Sequence, residues 1–428
     1  MSSNDKTADA VLREILEPGA YGGQPPLWAE AMSAMPEGAL PFLDPAAIPA
    51  RRAAAGLPAE RDALLLGVAA AADSDAALRC FAWYLHWRVF VVPEQGVPWG
   101  APLLIQRLGE RAGAFYEVLA LEFVPRLTVW HRHLGYPRTV TAQTIQQIAS
   151  FETNHLRGRG HPGIYESQFP WLASYLVQPY VRLGRFEYQL HPYGGGVCVW
   201  KRTTDGQVLA LAEDGTRVAD DGLLLADDAA ATAGWTARLE ETREAISGYP
   251  VDPAGRILRK QVSLDCAAWT PCFRKGATVL DLHIPAGGGM SWEAMVDSFR
   301  QALDFFPQYH ADQPLSALVV NTWFMDPRLE DLLPAEANPL RLQRAVYLYP
   351  VPPAPGSLWF VFQRNTATAD PVSLPRDTSL RRQLAGFLES GRTWNGGGMF
   401  LLPDDMRNPR EELYRDRFRE LQIELELG

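Results

Sequence analysis

The sequence predicts two regions of different class. Residues 1–165 read as a mainly helical domain, and residues 166–428 as an α+β or α/β domain with a mixed sheet flanked by helices. Three observations carry this. In the first third, apolar residues such as Leu78, Phe81, Leu85 and Val89 recur at three- and four-residue spacing, the period of a helix face. Near residue 180 the pattern changes to alternation, in VRLGRFEYQLHPY (181–193), which suits a strand. After residue 275, strand-like and helix-like runs alternate, the mark of a sheet with helices packed on it.

In order along the chain, helices are expected over 10–16, 60–74 and 75–90, with a proline- and glycine-rich break, EPGAYGGQPPLW, after the first. A further helical run, 111–135, is expected to be cut by Pro125, and another over 139–156 to be capped by Thr141. The glycines of GGGVCVWKRTT (194–204) suggest a hairpin with the strand before them. Residues 205–230 read as a hairpin or polar loop, and GWTARLEETREAISGYP (234–250) as a helix. Then come a strand ATVLDLHI, a helix SWEAMVDSFRQALDFF, a strand LSALVVNTWF and a helical turn at PRLEDLLP. Strands are expected at LRLQRAVYLYPV (340–351) and GSLWFVFQ (356–363), a helix at TSLRRQLAGFLESG, and a last strand at GGGMFLLP.

Bulk properties narrow the function. The chain has 428 residues, 47% of them hydrophobic, and a formal net charge of −10. An acidic chain without a basic run is a poor nucleic-acid binder, because such binding neutralises phosphates. No run approaches the ~18 apolar residues of a membrane span. The first residues, MSSNDKTADAVLREILE, lack a signal-peptide core, so a cytoplasmic protein is expected. Cys80, Cys198, Cys266 and Cys272 form no C-x-x-C pair and read as reduced structural thiols. No metal is expected: His131 and His133 in WHRHLG are two apart and read as a solvated helix end.

The stretch LHIPAGGGMSWEAM (282–295) is the most informative. Gly287, Gly288 and Gly289 join a strand to a helix. A helix start leaves backbone N–H groups without partners and carries partial positive charge. A glycine loop ahead of it can bring the backbone close to a phosphate. The loop has neither the G-K-[ST] of a P-loop nor G-x-G-x-x-G, so a plain turn and an anion seat both stand. Asp281 and His283 lie two apart on the strand before it and share a face. They read as a proton-handling pair or as a hydrogen-bonded structural one.

These residues carry a resemblance. LGYPRTVTAQTIQQI, WLASYLVQPYVRLGRFEYQL, VLDLHIPAGGGMS, VVNTWFMDPRLEDLLPAEANPLRLQRAVYLYPV and TSLRRQLAGFLESG, within about residues 80–402, resemble a bacterial two-domain family. In that family an N-acyltransferase N-terminal domain is joined to a GNAT-like C-terminal domain. The resemblance implies a GNAT-like sheet in the second half and an acyl group, acetyl first of all, moved from acyl-CoA to an amine by direct attack on the thioester. It implies that Ile284, Pro285, Ala286, Gly287, Gly288, Gly289, Met290 and Ser291 seat the pyrophosphate. The pantetheine arm would run between the splayed strands ATVLDLHI and LSALVVNTWF. His283 or Asp281 would relay the amine proton. Asn321 stands where the family is expected to place a histidine, and no Arg or Gln precedes the glycines.

Asp326 follows the second of those strands, where it reads either as a carboxylate placed to attract an amine or as part of an acidic solvated helix. Trp323 and Tyr347 are candidates for a substrate pocket. The acceptor expected is a small-molecule or peptide amine. Two rival readings stand: a non-catalytic module that binds acyl-CoA or an acyl carrier protein, and an acyltransferase that takes its donor from a carrier protein docked at LRGRGH (156–161).

Overall fold

The structure is a computed structural model that describes residues 7–16, 25–95, 104–226, 229–230, 233–354 and 356–427. Residues 17–24, within the expected proline and glycine break, lie outside the described residues. Two compact units divide the chain: Met1–Leu183 with Ile284–Gly288, and Gly184–His283 with Gly289–Gly428.

The first unit is helical, as the spacing predicts. Its longer helices are α1 (Ala8–Ile15), α2 (Asp62–Ser74), α3 (Ala76–His86), α4 (Ala112–Ala120), α5 (Phe123–His133), α6 (Arg138–Ile145) and α7 (Gln147–Arg159). It ends in a short strand, β1 (Tyr180–Leu183). Asp75 starts α3 by accepting the N–H groups of Ala77 and Leu78 at 2.9 and 3.0 Å. Leu78, Phe81, Leu85 and Val89 are all buried, so the three- and four-residue pattern marks the core face. Pro125 stands one helical turn after the cut in the run, which falls at Leu121 and Glu122 between α4 and α5. It sits in the first turn of α5, where its missing N–H has no helical partner to lose. Thr141 lies inside α6, which starts after Pro137 without a side-chain cap. Its hydroxyl instead meets His131 Nδ1 at 3.1 Å. His131 is therefore buried, not solvated, and burial lowers its pKa to about 4.

The second unit opens with β2 (Phe186–Pro192), after a break at Gly184 and Arg185. Then follow β3 (Val197–Arg202), β4 (Val208–Ala212), β5 (Ala245–Gly248), β6 (Pro250–Asp252), β7 (Val262–Asp265) and β8 (Trp269–Phe273). The expected hairpin of 181–193 with 194–204 does not form. β3 pairs instead with β4 and β8. The expected helix over 234–250 is also absent. Thr242 Oγ1 accepts the N–H groups of Glu244 and Ala245, a local turn that competes with helix. Beyond it Ile246 and Gly248 face inward on β5.

The main sheet then takes β9 (Thr278–His283), helix α8 (Trp292–Tyr309), β10 (Ala317–Thr322), helix α9 (Asn338–Ala345), β11 (Tyr347–Tyr349), helix α10 (Ser379–Glu389), β12 (Gly397–Leu401) and helix α11 (Leu413–Glu424). Within this unit the sheet order is β2–β9–β10–β12–β11. β9 and β10 are parallel and the other neighbours antiparallel, so the sheet is mixed. Residues 340–345 are helix and only 347–349 strand, since Pro339 sits in the first turn of α9. Residues 356–363 hold one helical turn, Trp359–Phe362, closed by Gln363 at φ 53°.

One face of the sheet is covered by α8. Phe186 stacks on Phe299 at 5.6 Å, and the Tyr188 hydroxyl meets Ser298 Oγ at 2.8 Å. Part of the other face carries the smaller sheet of β3, β4, β6 and β8. Tyr347 fixes that contact: its hydroxyl donates to Val251 O at 2.5 Å and accepts from Ala210 N at 3.3 Å.

Candidate functional site

The site is built on the C-terminal ends of β9 and β10. Their parallel register runs Val279 to Ala317, Leu280 to Leu318 and Asp281 to Val319, and stops there. Both strands continue. β9 keeps its antiparallel partner β2 as far as His283 opposite Glu187. β10 keeps β12 as far as Thr322 opposite Gly397. Each strand is thus held on its outer side while the inner ladder ends, and the two part. Beyond the end of a ladder the inner backbone N–H and C=O groups face no paired strand, and such groups find their partners in side chains, loops, water or a ligand.

Register also fixes which side chains share the open face. Side chains alternate along a strand, and directly paired residues face the same way. Asp281 and His283 therefore share a face with Glu187, Gln189 and His191 of β2, and with Val319 and Asn321 of β10. Tyr349 of β11 joins them, donating its hydroxyl to Asn321 Oδ1 at 2.9 Å. Asp281 Oδ2 lies 3.5 Å from His191 Nε2 and 3.6 Å from His283 Nε2. Hydrogen bonding to Asp281 raises the His191 pKa. Burial lowers that of His283, against the pull of Asp281. Burial keeps the Tyr349 hydroxyl protonated.

The glycine loop follows His283 directly. Gly287 and Gly288 have φ of +81° and +65°, left-handed angles that favour glycine. Gly289 does not share that angle, and a Cβ there would meet open space. Ile284, Ala286 and Met290 are half-buried, Pro285 is buried, and Gly288 and Gly289 are exposed. Ser291 caps α8 by accepting Ala294 N–H at 3.3 Å, as its place before the helix predicts. The Arg185 Nε–H donates to Gly289 O at 2.9 Å, so an arginine reaches the loop although none precedes the glycines in sequence.

Three predicted residues stand apart from the open face. Asp326 is fully buried. It accepts the N–H groups of Arg328, Asn395 and Gly396 at 3.0, 3.1 and 3.1 Å, and pairs with the Arg328 guanidinium at 2.6 Å. No amine reaches a carboxylate so enclosed, and its role is to tie the start of β12 to the turn after β10. Tyr347 is buried between the two sheets, its hydroxyl engaged by Val251 O and Ala210 N. Trp323 is half-buried in a short helical turn, where its carbonyl accepts the Trp394 indole at 2.9 Å.

Sequence reading missed Glu187 and His191, and took Tyr349 only as one of the aromatics that could line a pocket. The signal was present, since Glu187, Gln189 and His191 are spaced by two. Their relevance depends on β2 lying beside β9, a pairing across about 90 residues that no local pattern encodes.

The family profile of the GNAT-like C-terminal domain matches residues 180–401. Among solved structures, an acyltransferase mutant in complex with octanoyl-CoA aligns at 20% identity with a TM-score of 0.59, covering 93% of this chain and 99% of its own. An acyltransferase in complex with decanoyl-CoA and teicoplanin aligns with the same identity, TM-score and coverage. No curated protein matches the sequence. Likeness at that identity is a likeness of fold, and it agrees with a helical first unit and a mixed sheet in the second. With more than half of its residues inside the profile, the chain belongs to the family of the GNAT-like C-terminal domain.

Proposed function

We propose that the protein is an acyl-CoA-dependent N-acyltransferase. The observation that carries this reading is the parting of β9 and β10 beyond Asp281 and Val319. The gap offers backbone donors and acceptors at strand spacing, which suits the amide groups of a pantetheine arm. The bare loop after His283 supplies the seat for the pyrophosphate, with N–H groups at the start of α8. Gly289 supports this, because neither packing nor backbone angle requires glycine there.

On this reading the acceptor amine is an ammonium that gives one proton to the His283 imidazole. The free amine attacks the thioester carbonyl. The C–N bond forms and the C–S bond breaks; the attacking nitrogen gives up its second proton and the departing thiolate takes one up, so one net proton stays on His283. Tyr349 is held neutral by burial and is the candidate relay for that exchange, passing its proton to sulfur and regaining the second proton of the nitrogen. Asn321 orients the Tyr349 hydroxyl in place of acting as a base.

Acetyl-CoA is the donor expected from sequence, while the solved structures of similar fold hold octanoyl- and decanoyl-CoA. The deciding experiment measures thiol release from acetyl-, octanoyl- and decanoyl-CoA with a panel of small-molecule and peptide amines. Amine-dependent release from one of them supports the enzyme. Binding of CoA without release would make the protein a donor-binding module. Release only from a loaded acyl carrier protein would move the donor from CoA to that partner.

A further inference from the structure

Two imidazoles compete for one carboxylate atom on the open face. His191 Nε2 and His283 Nε2 both approach Asp281 Oδ2, at 3.5 and 3.6 Å. Their surroundings differ. His191 Nδ1 also lies 2.6 Å from the carbonyl of Pro192. A carbonyl and a carboxylate are both acceptors only, so a nitrogen bonds either one through a proton. Protons on both nitrogens would satisfy both oxygens, so these contacts favour the imidazolium form of His191. A second imidazolium on the same carboxylate is opposed by like-charge repulsion, which leaves His283 as the neutral ring.

We propose that His191 is a positioning residue for His283: as a cation pinned between Pro192 O and Asp281, it takes up the Asp281 charge and leaves His283 neutral and able to accept a proton. This rests on the acyl-transfer reading of the same site. The groups that face the pair are Glu187 and Gln189 from β2, Asp281 from β9, Asn321 from β10 and Tyr349 from β11. The direction of both pKa shifts agrees, His191 raised by its bond to Asp281 and His283 lowered by burial. His191 was not a candidate from sequence, and it touches neither donor nor amine in this scheme. It acts through Asp281.

The test compares wild type, His191→Gln and His191→Lys. Glutamine removes the charge, so the full field of Asp281 falls on His283 and favours its protonated form. The acid limb of kcat/KM is expected to move up by about one pH unit, with activity recovered at higher pH and donor KM unchanged. Lysine keeps a cation beside Asp281 and should restore the wild-type limb. Imidazole proton NMR gives the same answer without turnover: the His283 signal, assigned with His283→Gln, should titrate higher in His191→Gln than in wild type. An acid limb and a His283 titration both unmoved by His191→Gln would overturn the proposal. Equal losses in the Gln and Lys variants, flat with pH, would make His191 a packing residue only. Absence of any thioester consumption by wild type would instead sink the acyl-transfer reading, and the NMR titration would still decide the coupling. If His191→Gln fails to fold, His191→Lys against Asp281→Asn carries the comparison. Loss of the carboxylate is then expected to shift the His283 titration downward.

Discussion

Glu117 holds a carboxyl group in the least favourable place for a charge. It is fully buried on α4, and among the described residues neither of its side-chain oxygens has a hydrogen-bond partner. Burial, with the nearby charge of Glu152, raises its pKa to about 8 against an ordinary value of 4.5, and Arg61 offsets this only in part. A group whose folded pKa is raised contributes its stability below the unfolded value and loses it as pH rises through the folded one. Stability of the helical unit should therefore fall between about pH 4.5 and pH 8. Glu117→Gln should remove that dependence and raise stability at pH 8 by roughly 2–3 kcal/mol. Denaturant unfolding of both proteins at pH 6 and pH 8 checks it; equal gaps at the two values would refute the buried neutral acid. At this scale the sequence misled where local partners were decisive. Asp326 read as an amine lure because its neighbours are acidic, yet three backbone N–H groups and Arg328 enclose it. Asp326→Ala is expected to cost about 3 kcal/mol of stability by orphaning Arg328 and those donors, measurable in the same unfolding series.

Among the elements, long periodic segments were legible and short ones were not. α3, α8, α10, β9, β10 and β12 stand where spacing and caps put them. Residues 340–351 misled because the apolar positions of α9 and β11 run together, and only Pro339 marks the helix start. α11 was not anticipated: Leu413, Tyr414, Phe418 and Leu421 form its buried stripe, but charged residues fill the spaces between them. The candidate site was half legible. Asp281 and His283 lie two apart in sequence and are visible there, whereas the placing of His191 and Tyr349 beside them comes through register. The loop can be tested as an element. Gly289→Val should leave the melting temperature unchanged, since its Cβ meets open space, and should weaken CoA binding about tenfold if the loop backbone touches phosphate. Gly288→Val should lower both, because its φ of +65° strains a branched side chain. Calorimetric titration with CoA separates the two; unchanged affinity in both variants would leave the loop a plain turn.

For the molecule as a whole, the boundary of the profile and the end of the first unit nearly coincide, at Tyr180 and Leu183. Among the described residues no helix is long and apolar enough to cross a membrane. Among the described residues the four cysteines form no disulfide. A donor present at ~100 times its dissociation constant should stabilise the chain by ~2.7 kcal/mol and raise its melting temperature by at least about 2 °C. Acetyl-CoA and CoA should outdo ADP in that assay if pantetheine contacts add to those of the phosphates. Equal shifts with all three would mean that the strand gap contributes nothing.

The parting of β9 and β10 has a consequence for how the protein could be retuned. The two walls of the gap are pinned from outside, by the β2 ladder up to Glu187 and the β12 ladder up to Gly397. A slot held open by its frame is preorganised, so an occupant meets it without first reshaping the sheet. An occupant that lies along it completes an interrupted ladder, as an added strand completes an edge. Selection for a wider or narrower slot would then act on the frame. Substitutions in β2 and β12 that never touch the guest would set which guests fit.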